Sequence, residues 1–227
     1  MKTMRLLPAL VLFVFVSSCG GPKGDLTRSS LKGHVKSVAE HQYDATAKDG
    51  KWVAGRPTIN GHRITEYDED GYYLVSVSLN HMGDTLGSTK VIRNGEGDMI
   101  EEVYTSPYER NATRTKLDRV SPDQVNFELW EGDRMLFEGA NYFDSKGRMM
   151  QQVRVVNNVE LAIHWVYEDD LLMENFQEEV ETGKRTYTQL YEYTTFDDHG
   201  NWTERLVYPG ADRIKAELVI RREITYY

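Results

Sequence analysis

The chain carries one cysteine, Cys19, in 227 residues, so no disulfide can form within it. Six prolines leave long stretches in which every backbone N–H can join a hydrogen-bonded ladder. After Val16 no apolar run approaches the roughly 20 residues that a membrane-spanning helix requires. Basic side chains are the minority, 27 Lys and Arg against 36 Asp and Glu, with a formal net charge of −9. That balance argues against a nucleic-acid partner, which needs a basic patch. There is no G-x-S-x-G elbow, phosphate loop or pair of metal-spaced histidines. His34, His41, His62, His81, His164 and His199 are scattered. No enzyme, no cofactor and no metal site is therefore expected. A catalytic group assembled from distant positions would leave no such local mark.

What is present begins at the N-terminus. Lys2 and Arg5 precede an apolar run from Leu6 to Val16, too short to span a bilayer and suited to the core of a signal peptide. It ends in Val16-Ser-Ser-Cys19, which resembles a bacterial lipobox. The resemblance implies cleavage before Cys19 and acylation there, an anchor that is stable when two or more chains insert. Loss of Lys2 and Arg5 with the leader would take the net charge from −9 to −11. Gly20, by resemblance to the enterobacterial sorting rule, favours the outer membrane, at its periplasmic face or at the cell surface. Gly, Pro and Ser dominate the stretch that follows, as in a tether. The expected organisation is a leader at 1–18, the lipidated Cys19 and tether at 19–30, and one folded domain at 31–227. Its 40% apolar and 28% charged residues suffice for a core.

Within that domain one pattern recurs. An Asp or Asn is followed three residues later by Gly: Asp68 and Gly71, Asn94 and Gly97, Asp144 and Gly147, Asp197 and Gly200. Glu168 keeps the frame with Leu171 in the Gly place. The markers at 68, 94, 144, 168 and 197 are spaced by 26, 50, 24 and 29 residues, so a degenerate copy belongs in the long gap, near Leu117-Asp-Arg-Val-Ser-Pro-Asp123. A period near 25 residues denotes an array of one supersecondary unit. The unit is a β-hairpin: the carboxylate or amide accepts from backbone N–H groups ahead of it, and Gly supplies the left-handed residue of a bulged turn. A second set of turns, around Met82, Glu131, Asn157, Thr182 and Pro209, alternates with the first.

Period-two alternation supports strands throughout. Ile214, Ala216, Leu218, Ile220, Ile224 and Tyr226 share one face, interrupted by Arg222; Leu161, Ile163, Trp165 and Tyr167 share another. One helical turn is expected at Pro122. The fold class is therefore all-β: a long antiparallel meander of consecutive β-hairpins, about fourteen strands, in a sheet that twists or curls.

The turn pattern resembles the YD-repeat family, the Rhs-like hairpin repeat whose signature is Tyr-x-Tyr-Asp-x-x-Gly-Asn. Phe196, Asp197, Gly200 and Asn201 carry the best match; Tyr67, Asp68 and Gly71, and Asp144 and Gly147, carry weaker ones, with Tyr72 and Arg148 in place of the Asn. The resemblance implies a hairpin array and no activity, and the ends of the domain also look like those of bacterial lipoproteins of unknown function.

Fourteen Tyr, seven Phe and four Trp make aromatics the remaining functional hint. Trp165, Tyr167, Tyr191, Tyr193 and Trp202 fall on neighbouring strands and are the candidate binding residues, either as a strip for a protein or glycan partner or as ordinary core. The Asp–Gly pairs are read as structural turns, with weak cation binding as the alternative. The favoured function is a lipid-anchored, non-enzymatic binding or scaffold protein of the cell envelope. A carrier of an apolar ligand in a curled sheet is the first rival, and a hydrolase with a dispersed site the second.

Overall fold

A computed structural model describes residues 25–227. Cys19, the leader and the first part of the tether lie outside the described residues. One helical turn, α1 (Asp25–Arg28), precedes fifteen strands: β1 (Val35–Lys48), β2 (Lys51–Pro57), β3 (His62–Tyr67), β4 (Tyr73–Leu79), β5 (Thr85–Arg93), β6 (Met99–Thr105), β7 (Thr113–Ser121), β8 (Gln124–Glu131), β9 (Arg134–Phe143), β10 (Met149–Val156), β11 (Val159–Glu168), β12 (Leu171–Glu179), β13 (Lys184–Phe196), β14 (Trp202–Pro209) and β15 (Leu218–Tyr226).

From β3 to β15 each strand pairs antiparallel with the next, and β15 pairs back onto β1. One edge of β1 takes β15 along Val35 to Asp44. Its other edge takes β3 along Ser37 to Glu40 and then β2 along Tyr43 to Lys48. The meander therefore closes into a 14-strand antiparallel barrel, and β2 is a flap on its wall. An even strand number is what lets an up-and-down sheet close antiparallel, and closure removes the edges that an open sheet would expose.

The repeated turns occupy one rim. Asp68, Asn94, Asp144 and Asp197 each accept a hydrogen bond from the N–H of the matching Gly at their own carbonyl, at 2.9–3.1 Å. Side chains complete the turn: Asp144 Oδ1 accepts from the N–H of Lys146 and Arg148, and Asp197 Oδ1 from His199 and Asn201. Gly71, Gly97, Gly147 and Gly200 have φ between +77° and +90°. The degenerate copy sits where its spacing places it, between β7 and β8. Pro122 lies there in a tight turn and not in a helical one, because β8 restarts at Gln124. The Glu168 copy uses a different solution, a two-residue hairpin with Asp169 at φ +53°, and its Leu171 is a strand residue facing a buried aromatic cluster. On the opposite rim, Asn80 makes the same turn with Gly83, Asn80 Oδ1 accepting from Met82 and Asp84.

The tether ends sooner than its composition implies. Leu26 and Leu31 are buried with Val35, Val38 and Tyr67, so Leu26, upstream of Leu31, already belongs to the packed body. The N–H groups of Asp25 and Leu26 donate to the Gly71 carbonyl, and Asp25 accepts from the N–H of Tyr73 and from Arg93. Further on, the Lys32 N–H donates to Asn201 Oδ1, and Asn201 Nδ2 donates to the Lys32 carbonyl and to Tyr226. Residues 25–34 thus lie along the Asp–Gly rim, tied to the β3–β4 and β13–β14 turns. Gly and Ser gave this stretch the look of a linker, but two leucines and one carboxylate dock it.

Candidate functional site

Residues opposite one another across a ladder share a face, so the registers sort each strand into an inner and an outer set. The inner set lines a half-open cavity of about 610 Å³, within the range of about 300–1,000 Å³ typical of small-molecule sites. Its walls differ. The wall built by β7 to β10 presents Leu117, Val125, Phe127, Leu129, Phe137 and Phe143. Gly139 makes room there: an added Cβ would meet the Phe127 ring at 2.7 Å. The wall built by β15, β1, β3 and β6 presents Arg222, Glu40, Arg63, Thr65 and Glu102. The N-terminal strap contributes Asp25, Ser29 and Leu31 to the lining.

Glu40 is the centre of the charged wall. It stands in register with Arg222 on one side and Arg63 on the other, and Arg222 Nε donates to it at 2.9 Å. Burial alone would raise the Glu40 carboxyl; Arg222, Arg205 and Arg63 outweigh that and hold it below the ordinary carboxylate range. Burial pushes the Arg222 guanidinium down, and Glu40 opposes the shift. Burial, helped by the charge of Asp25, raises Glu102. The Arg222 guanidinium lies 3.5 Å from the Trp202 ring centroid, and that of Arg205 lies 4.4 Å from it and 4.7 Å from Tyr191.

All five candidate aromatics face inward. Trp202 and Tyr191 are buried with Val207 and Ile220, and Tyr193 packs against them with ring centroids 5.6 Å from Trp202. Tyr193 donates to the Leu172 carbonyl at 2.8 Å. Tyr167 lines the cavity and stacks under Arg148 at 4.5 Å. Trp165 is half-buried, opposite Asn175. The fold brings Tyr191, Tyr193 and Trp202 together as an internal cluster that seats two arginines, while Trp165 and Tyr167 stand elsewhere on the inner face; an outward strip for a partner is not what they form. Alternation made them neighbours on one face, and closure of the sheet turned that face inward. His164, on the outer face, stacks on Phe176 at 4.6 Å, with Arg185 3.6 Å over the same ring.

Sequence reasoning passed over Glu40, Arg63, Glu102 and Arg154. The signal existed at Arg222, the one charge that interrupts an otherwise apolar strand face, because a local rule is broken most often where a site needs it. Two members of that face shift as well: Ile214 is exposed in the β14–β15 connection, and Ala216 is buried with Leu206, Tyr208 and Val219 in a second core beneath the β1–β2 flap. The Asp–Gly turns gather no metal-ligating group; among the described residues no cluster of three His, Cys, Asp or Glu could hold an ion.

The outer wall is charged along the strands, with cross-strand pairs Arg114–Glu101 at 3.0 Å, Arg185–Glu174 at 3.0 Å and Arg221–Glu204 at 2.8 Å. Lys116 lies 4.5 Å over Trp130, whose Nε1 donates to Glu128.

No family model and no curated protein matches the chain. A solved structure, a porin-like protein from Bacteroides uniformis, is similar over 86% of this chain and 98% of its own, at 9% identity and a TM-score of 0.31. A barrel is compatible with an outer-membrane or other envelope location.

Proposed function

We propose that this chain is a non-enzymatic envelope protein that carries an amphipathic small molecule inside its barrel. The observation that carries the reading is the half-open cavity inside the barrel, with one aromatic, aliphatic wall and one arginine–carboxylate wall. A filled interior would have favoured a purely structural array, and a strip of outward aromatics a surface binder. The lipid at Cys19 and residence at the outer membrane belong to the same proposal, on the strength of the Val16-Ser-Ser-Cys19 motif. Within it the barrel stands beside the bilayer, because Arg and Lys on a lipid-facing wall cost up to about 2–4 kcal/mol each at the midplane, and Arg185, Arg221 and Lys116 lie on the outer face. Native mass spectrometry of the full-length protein from its own envelope, before and after organic extraction, tests the reading. Co-purification of a small amphipath in about equimolar amount is expected. A ligand-free protein that also takes up no N-phenyl-1-naphthylamine, a neutral apolar probe, would overturn it.

A second reading, attachment of a protein or glycan partner, draws on the rim opposite the Asp–Gly turns. There Ile59, Met82, Tyr108 and Ile214 are 70–77% exposed on four separate connections. Replacing the four by Ser should abolish capture of a crosslinked partner while leaving probe uptake intact; unchanged capture refutes it.

A further inference from the structure

The charges that line the cavity do not balance. Four arginines, Arg63, Arg119, Arg154 and Arg222, face three carboxylates, Asp25, Glu40 and Glu102. Most of these groups are engaged. Arg222 is bound to Glu40, Asp25 to Arg93, and Arg119 to Asp98, which stands outside the lining, at 3.3 Å. Arg205, beside Arg222, brings one more cation to the Glu40 side. Two lining cations remain without a carboxylate ion pair. Arg63 is in register with Glu40, but Glu40 is taken by Arg222. Arg154 is held against the Phe137 ring at 5.4 Å, and its buried Nε has no hydrogen-bond partner. A buried guanidinium donor left unpaired is costly, and an anion supplied by a ligand is the partner it lacks.

The placement of Arg154 is informative. It follows Gln152 on the inner face of β10 and stands in register with Gly139, at the end of the wall formed by Phe127, Leu129 and Phe137. A molecule lying along those rings ends at a cation. On the basis of the carrier reading, we infer that the ligand is an amphiphile with a single anionic head, a carboxylate or a phosphate monoester, which Arg154 recognises from beside the aromatic wall, and an apolar tail seated against Leu117, Phe127, Leu129 and Phe137. The net negative charge of the chain sharpens the point, since this excess of positive charge is local to the interior and is not a property of the whole surface.

The test is displacement of N-phenyl-1-naphthylamine from the full-length protein by dodecanoate, dodecyl phosphate and the neutral dodecanol. A charge-assisted hydrogen bond contributes about 1.5–3 kcal/mol, so the better anion should displace the probe at a concentration roughly tenfold or more below dodecanol. The relative order of dodecanoate and dodecyl phosphate identifies the head group. Arg154→Gln should shrink that gap severalfold by weakening displacement by the anions; the residue is in no ion pair, so the variant should keep the wild-type circular dichroism. Glu40→Gln, which releases Arg222, should widen the gap. Equal displacement by anionic and neutral chains, or a gap indifferent to Arg154→Gln, would overturn the anionic head while the carrier reading stands. Failure of ligand-free wild type to take up the probe at all would overturn both.

Discussion

The Glu40–Arg222 pair offers the most quantitative perturbation. Their side chains are only 18% and 14% exposed, so each charge relies on the other and on its neighbours rather than on bulk water. Replacing Arg222 by Met leaves the Glu40 carboxylate with Arg205 and Arg63 as its remaining cations and removes the guanidinium stacked on Trp202. Breaking one side of a buried pair costs about 3–5 kcal/mol, against a total stability of about 5–15 kcal/mol for a domain. The two residual arginines soften the loss, which places the expected value near 3 kcal/mol at the low end of that range. Urea denaturation, followed by far-ultraviolet circular dichroism and by tryptophan fluorescence, should therefore show a midpoint far below wild type with an unchanged slope. The double variant Glu40→Met with Arg222→Met removes both charges and should recover most of the loss, since apolar replacement of a whole buried pair is often near neutral. The difference between the double variant and the sum of the singles is the coupling. A loss below about 1 kcal/mol in Arg222→Met, or strictly additive single effects, would show that the pair is hydrated and that the charged wall is not organised around Glu40.

Three further outcomes follow from named positions. Gly200→Val should lower the melting temperature by about 3–6 °C, because φ +77° resists a β-branched residue by about 1–2 kcal/mol, and an added Cβ there would meet only Lys32, at 3.5 Å; an unchanged transition refutes the turn assignment. Gly139→Ala should destabilise the barrel and reduce probe uptake, since the new methyl would stand 2.1 Å from the Val153 carbonyl oxygen and 2.7 Å from Phe127; wild-type stability and uptake together would refute the packing of that wall. Burial, with hydrogen bonds from Tyr208 to Glu192 and from Tyr226 to Asp197 adding to it in those two, pushes Tyr73, Tyr191, Tyr208 and Tyr226 up to about 12. The unfolded chain then loses these protons first, so stability present below pH of about 10 should fall as pH rises toward 12; absorbance titration showing all fourteen tyrosines ionising together near their ordinary value would refute it.

Local chemistry, which needs only neighbours in the chain, was legible in the sequence. Asp or Asn with Gly three residues on favours a turn from local chemistry alone, and alternation favours strands, so the hairpin array, a degenerate copy near Leu117 to Asp123 and the shared faces of Trp165 with Tyr167 and of Tyr191 with Tyr193 could all be read directly. Leu171 shows the limit of even that reading: the frame marked a turn position, while the structure uses a tighter hairpin and spends the leucine on the Trp202 cluster. Whether the last strand meets the first is not a local property. It depends on the accumulated twist and stagger of the whole sheet, and only the pairing of β15 with β1 closes the ring. That single event decided which face became the interior. It turned five aromatics from a possible outer strip into inner-face residues. It set Glu40 beside Arg222 across 182 residues of chain and packed Leu26 and Leu31 against Val35, Val38 and Tyr67. The turns were written into short segments by backbone sterics; the cavity and its charge exist only because distant strands share one closed wall.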